Sequence, residues 1–218
     1  MSRALVDAGW TVAAPVRRGE DVRLAADGTD LLLIATPDAA VAEVAAAVAP
    51  VPTTVVAHLA GSLGLDVLAS HERRASIHPL VSIPTGETDV RGAWFAVAGD
   101  ELSRQVVAAL DGRAVVVDDE HRAAYHAAAC IASNHLVALL GQVDRVGRSA
   151  GVPLDAFLAL ARQTIDNVAA VGPQRALTGP VRRGDHVTVD RHRAALAADE
   201  RGAYDAMVEQ AERLVASA

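Results

Sequence analysis

Apolar and polar positions along this chain follow two regimes. From Thr11 to about Asp118 the apolar residues come in short, β-rich runs between turn residues, and from Glu120 onward they recur at helical spacing. The clearest run is Leu31–Thr36 (LLLIAT). It is continuous rather than alternating, as expected of a strand covered on both faces of a parallel sheet. Thr11–Val16 precedes it, and Thr53–His58, Ala75–His78, Trp94–Ala98 and Ala114–Asp118 follow. Between the second and third runs, Asp38–Ala49 predicts an Ala/Val helix started by Pro37 and Asp38. Strands alternating with helices predict an α/β layer fold.

Beyond Asp118 the strand pattern stops. Residues 120–149 predict one long helix, broken at most once and ended by Gly151 and Pro153. Leu154–Val171 predicts a second, closed by Gly172 and Pro173. Ala176–Asp185 predicts a polar loop, followed by helices over Asp185–Ala198 and Tyr204–Ala216. Residues 2–9 have the pattern of a helix end closed by Gly9, so Trp10–Val16 reads as a second strand. A dinucleotide-binding sheet would carry a strand and a Gly-rich turn before that helix, and no GxGxxG occurs. The expectation is a sheet lacking its central first strand, with the true start about 15–25 residues upstream. The alternative is a natural short variant.

Composition narrows the chemistry. The 218 residues are 51% hydrophobic but only 3% aromatic, so the core must be built of Ala, Val and Leu. A net charge of −7 argues against nucleic acid or an anionic membrane as partner. All 20 basic residues are Arg, which excludes Schiff-base and Lys acid/base chemistry. No uninterrupted apolar run has the length to span a bilayer, since Glu43 and two prolines break the longest, so no membrane span is expected. Cys130 is the only cysteine and cannot form an internal disulfide, which makes a reducing cytoplasm the expected compartment.

Several motifs carry candidate chemistry. Thr36-Pro37-Asp38 lies at the end of a buried strand, where ligands bind in open α/β sheets; the plain alternative is a capped turn. Arg17-Arg18 follow a predicted strand where nicotinamide enzymes select their cofactor, and Arg without a preceding acid favours NADP over NAD. The alternative is a solvated charge pair. His58 and His78 end two predicted strands at one sheet edge, in HLAGS and SIHPL. An imidazole there can polarise a carbonyl or shuttle a proton, or be a hydrogen-bonded structural group. Tyr125, His126, Ser133 and Asn134 recur near one face of the long helix and either line a site or satisfy backbone. Thr178, Arg182, Arg183, Asp185 and Thr188 form the densest polar cluster, suited to a carboxylate or phosphate, with a capping role for Asp185 as the alternative. The His spacings, His121 with His126 and His186 with His192, match no one-face metal pair, so no metal is expected.

Five segments carry a resemblance: DLLLIATPD (30–38), VAHLAGSLGLDVL (56–68), SIHPL (76–80), YHAAACIASNHLVAL (125–139) and ALTGPVRRGDHVTVDRH (176–192). They resemble a Rossmann-like bacterial family whose C-terminal half is domain of unknown function 2520, related to pyrroline-5-carboxylate reductase, 6-phosphogluconate dehydrogenase and prephenate dehydrogenase. The resemblance implies a Rossmann-like parallel sheet in residues 1–118 and an all-helical domain in 119–218, with the active site between them and dimerisation through the second. It implies an NADP-dependent oxidoreductase acting on a small carbonyl, imine or hydroxy acid. It places Thr36, Pro37 and Asp38 against cofactor and His58, Gly61, Ser62 and His78 near the nicotinamide. Ser133, Asn134, Thr178, Arg183 and Asp185 would face substrate. In that reading His78 donates a proton or polarises the carbonyl, Asn134 and Thr178 orient substrate, and Arg183 clamps an anionic group. The rival expectations are a non-catalytic nucleotide-binding module and a truncated helical dimerisation fragment.

Overall fold

The computed structural model describes residues 1–84 and 88–217. The chain divides into two compact units, Met1–Ser133 and Asn134–Ala218. The division falls inside the long helical run, later than the change of pattern at Asp118. The first turns of that run pack on the sheet and belong with it.

The first unit opens with α1 (Ser2–Asp7), closed by a turn at Gly9, whose φ of +86° suits only glycine. A five-stranded sheet follows in sequential order: β1 (Leu31–Ile34), β2 (Val55–His58), β3 (Arg73–Pro79), β4 (Trp94–Gly99) and β5 (Arg113–Val116). Two helices lie between strands, α2 (Asp38–Ala47) before β2 and α3 (Leu102–Ala109) before β5. β1, β2 and β3 are mutually parallel, β3 and β4 antiparallel, and β4 and β5 parallel. The sheet is therefore mixed rather than wholly parallel. Parallel neighbours need a crossover. Segments through α2, a short 3₁₀ turn (Leu65–Leu68) and α3 supply the crossovers, whereas no helix intervenes among the described residues between β3 and β4.

The predicted strand at Thr11–Val16 does not form: residues 11–17 are irregular. A strand exists only through its ladder, and among the described residues nothing pairs with this segment. Its valines have no core to enter, Val12 being 39% and Val16 46% exposed.

Alternation along the strands sends successive side chains to opposite faces. Val55, Ala57, Ala75, Ile77, Phe95 and Val97 pack with Leu5 of α1 and Val106 and Val107 of α3. Ile34 and Val56 pack instead with Val41 and Ala45 of α2 and with Leu68. His58 and Ser76 are aligned in the β2–β3 register, and His78 lies two residues on, so all three project to this second face.

After β5 a 3₁₀ turn (Asp119–His121) leads into α4 (Arg122–Cys130). The helix continues through a π-helical segment, Ile131–His135, into α5 (Leu136–Ser149). Asp119–Ser149 is long and apolar enough to cross a membrane by length and composition, with a best window of mean hydropathy 1.3. It is interrupted by polar residues such as Ser133 and Asn134, so the expectation about uninterrupted apolar runs stands beside it.

The second unit continues with α6 (Leu154–Val171), α7 (Pro173–Ala176), α8 (Gly179–Arg182), α9 (His186–Ala195) and α10 (Ala198–Ala216). The loop expected over Ala176–Asp185 thus contains the single-turn α8 and abuts α7, because Pro173 and Pro180 sit in first-turn positions where proline favours a helix. Arg145 of α5 holds Glu200 of α10, and Arg193 of α9 holds Asp205 of α10.

Candidate active site

The carboxyl ends of β1, β2 and β3 share one edge, and polar side chains gather there. Pro37 precedes the first residue of α2 and Asp38 is that residue. Ser62, in the loop after β2, donates to Asp38 Oδ2 at 2.8 Å, tying the two crossing loops together. The Thr36 hydroxyl oxygen is enclosed and makes no hydrogen bond.

His58 is fully buried. Its Nε2 lies 3.1 Å from the Gly64 carbonyl oxygen, so Nε2–H donates and Nδ1 is left enclosed and unpartnered. Burial, above all, pushes the ring's pKa down, and the Arg122 charge adds to that. His58 therefore anchors the loop of residues 59–64 from within.

That loop brings Gly61 against His78. A Cβ on Gly61 would lie 2.8 Å from His78 Nε2 and 2.7 Å from His126 Cδ2. His78 Nδ1 is 2.7 Å from the Tyr125 hydroxyl, and the two rings meet edge to face. Burial first, then the neighbouring His126 and Arg122, lower His78 to about 4. At neutral pH the imidazole is uncharged, with one proton shared between two nitrogens. Burial raises Tyr125, so its phenol is protonated there too. A neutral imidazole hydrogen-bonded to a neutral phenol forms a proton relay.

The sequence reading gave no role to Arg122. It is 2% exposed, and Nε and both terminal nitrogens are enclosed without a partner. Ser76, beside His58 on the same face, also keeps an unpartnered hydroxyl. The one sequence signal was spacing: Arg122 and Tyr125 are three apart on a helix and so share a face.

The structure thus brings Thr36, Pro37, Asp38, His58, Gly61, Ser62 and His78 to one sheet edge of the first unit. Arg17 and Arg18 lie in the exposed segment before β1, where the Arg17 backbone N–H donates to Glu20. They do not follow a strand, which corrects the premise on which they were linked to the cofactor. Ser133 lies in the π segment, and Asn134, also in that segment, begins the second unit. Thr178 and Arg183 are exposed at the two ends of α8. Asp185 caps α9: its Oδ1 accepts from the Thr188 N–H at 3.0 Å and its Oδ2 from the Thr188 hydroxyl at 2.7 Å. The Thr188 bonds lower its carboxyl below the usual range. Asp118, Glu120 and His121 hold potential ligand atoms within 4.8 Å of one another, all three residues being exposed.

A mixed α/β sheet with a polar carboxyl edge, followed by a helical unit, defines the class: a Rossmann-like α/β protein. The chain belongs to the family described as Domain of unknown function (DUF2520), whose model matches residues 94–211, more than half of it. Protein TM1727 from Thermotoga maritima is 27% identical, with a TM-score of 0.70 over 85% of this chain and 78% of that one. BF3122 from Bacteroides fragilis, described as a candidate NADP oxidoreductase, is 21% identical, with a TM-score of 0.72 over 86% and 78%. The reductive aminase from Aspergillus terreus, solved with NADPH4, cyclohexanone and allyl amine, is 20% identical, with a TM-score of 0.62 over 88% and 76%. No curated protein matches the chain.

Proposed function

We propose that this chain is an NADP-dependent oxidoreductase acting on a small carbonyl, imine or hydroxy-acid substrate. The observation that carries the reading is the His78–Tyr125 pair, 2.7 Å apart beside the polar edge of β1–β3. The fold is shared with a candidate NADP oxidoreductase and with a reductase solved with NADPH4, a ketone and an amine.

The residues present fit such a cofactor. Thr36 offers an enclosed, unpartnered hydroxyl oxygen at a strand end, and Asp38 and Ser62 form a hydroxyl-binding pair beside it. Thr36, Pro37, Asp38, Gly61 and Ser62 would hold the ribose and nicotinamide, with His58 fixing the loop. The nicotinamide supplies hydride chemistry. Tyr125 gives its proton to the substrate oxygen or nitrogen. His78, neutral, returns a proton from Nδ1 to the phenolate while Nε2 gains one from water. Ser133, Asn134, Thr178 and Arg183 remain the substrate-facing candidates that the family resemblance implies, Arg183 for an anionic group. A second copy of the chain covers the apolar residues left exposed on α5 and α6, among them Val137, Leu160 and Ile165. The lone Cys130 suits a cytoplasmic enzyme.

The test is NADPH consumption on a panel of small ketones, keto acids and cyclic imines, with Tyr125→Phe beside the wild type. Removing the acid should cut turnover by about 10²-fold or more while NADPH still binds. Full activity in Tyr125→Phe overturns the role of the pair, and a wild type that binds neither NADPH nor NADH by calorimetry overturns the cofactor.

A further inference from the structure

Arg122 stands out among the buried groups. It is the largest side chain sealed in the structure, 2% exposed, and none of its three guanidinium nitrogens has a partner. A guanidinium carries five donors and cannot give up its charge. Unpaired and buried, it is among the costliest groups a fold can hold, and native proteins keep very few without a use.

Its neighbours indicate the use. Arg122 opens α4 and precedes Tyr125 by three residues, so both side chains lie on the face turned to the sheet. Asp119, one turn earlier, is exposed, and its Oδ2 already accepts the Leu65 N–H at 2.9 Å. The charged and titratable groups around the Tyr125–His78 pair are His126 on α4, His58 on β2, Asp38 on α2 and Arg122 itself. Asp38 is bound to Ser62. Arg122 is the one permanent cation in that set.

We infer that Arg122 is a positioning residue acting through Tyr125: its enclosed guanidinium stabilises the phenolate left when Tyr125 gives up its proton. This rests on Tyr125 as the acid of the proposed reaction. The tyrosine O–H bond breaks and an O–H or N–H bond forms on the substrate. The His78 Nδ1 proton then moves to the phenolate as Nε2 takes one from water, leaving the ring neutral in its other tautomer. No ligand has to touch Arg122, in keeping with its enclosure, because a charge in a poorly polarisable interior acts over several ångströms. The Arg122 charge opposes the effect of burial on Tyr125 and reinforces it on His78.

The test needs no cofactor. Only two tyrosines occur in the chain, Tyr125 and Tyr204. In a Tyr204→Phe background, phenolate absorbance reports Tyr125 alone. Arg122→Met should raise its ionisation midpoint by about one pH unit, a tenfold loss of acidity, and Arg122→Lys should restore most of it. An unmoved midpoint in Arg122→Met, or an equal shift in Arg122→Lys, overturns the inference. Arg122→Gln gives the same reading if Arg122→Met does not fold. If alkaline unfolding precedes Tyr125 ionisation, the His78 imidazole resonance is titrated instead. Its midpoint should rise from about 4 once the cation is gone, and an unchanged midpoint overturns the inference. Failure of the acid role itself is a different result: full turnover in Tyr125→Phe with the ionisation shifts intact.

Discussion

Gly61→Ala tests how closely the loop after β2 sets the His78–Tyr125 pair. The added carbon would lie 2.7 Å from His126 Cδ2, 2.8 Å from His78 Nε2 and 2.9 Å from His78 Cε1. Non-bonded carbons rest at about 3.5–4.0 Å, so the overlap is close to 1 Å on two rings at once. The Gly61 backbone is not left-handed, so alanine adds steric conflict and no φ strain. Retreat of the loop is opposed on both sides, by Ser62 on Asp38 and by the Gly64 carbonyl on His58. The rings must therefore move. A displaced His78 ring loses its 2.7 Å alignment with the Tyr125 hydroxyl. The expected cost in stability is about 1–3 kcal/mol, as for other overpacked interiors. The expected cost in turnover is about 10²-fold, the usual penalty for an ångström of misplacement. Urea unfolding gives the first quantity, NADPH-linked turnover the second, and the His78 imidazole titration shows whether the ring has moved. Wild-type stability with an unshifted His78 titration refutes the packing argument. Lost activity with an unshifted His78 refutes the link between packing and the relay.

Three further outcomes follow from the same geometry. The unfolded chain binds a proton on His78 near 6.5 and the folded chain near 4, so stability should fall as pH drops through that window and be flat above it. After allowance for partial solvent screening the loss is about 1–2 kcal/mol, and urea midpoints that do not differ between wild type and His78→Gln across that window contradict it. Asp185→Ala removes the cap of α9 and should lower stability by about 1 kcal/mol, seen as a lower urea midpoint; no change would show the cap to be idle. Gly99 has φ +80°, and a Cβ there would lie 2.2 Å from the Arg74 carbonyl oxygen, so Gly99→Ala should cost about 3 kcal/mol or more by thermal unfolding. A wild-type melting temperature would refute that contact.

The strands from Leu31 to Val116 were legible because each is a short apolar run bounded by turn residues, and the two-sided burial of β2 follows from that pattern. The direction of β4 was not legible. It depends on what links it to β3, and Leu80–Ala93 carries no periodicity of its own. Thr11–Val16 misled for the opposite reason: its residues favour a strand, but a strand needs a neighbour. At the site, Thr36, His58 and His78 could be found as polar residues ending apolar runs. Tyr125 could be found by its recurrence with Ser133 on one helix face, but Arg122 could not. It sits in an Ala-rich helix whose docking against β3 is a tertiary event, and an arginine there reads as a solvated charge. Asp185 shows the reverse case, a polar loop residue whose two oxygens are taken up by the start of a helix.

The distribution of unsatisfied groups argues for where the function lies. One face of the sheet packs Val55, Ala57, Ala75, Ile77, Phe95 and Val97 as an apolar layer. The other face, towards the carboxyl ends of β1–β3, holds His58 Nδ1 and the Ser76 hydroxyl, with the Thr36 hydroxyl oxygen at the strand end and Arg122 on the overlying helix, all enclosed without partners; among the described residues His71 Nδ1, before β3, is the one other such side-chain atom. Each such group costs stability, and an apolar replacement of similar shape would often be neutral or better. A fold selected for stability alone would have filled this edge as it filled the opposite face. Their concentration around the His78–Tyr125 pair ties the cost to proton chemistry. Arg122→Met should accordingly make the protein more resistant to urea while making Tyr125 a weaker acid, and a variant that loses both stability and acidity would mean that Arg122 is needed chiefly to hold the fold.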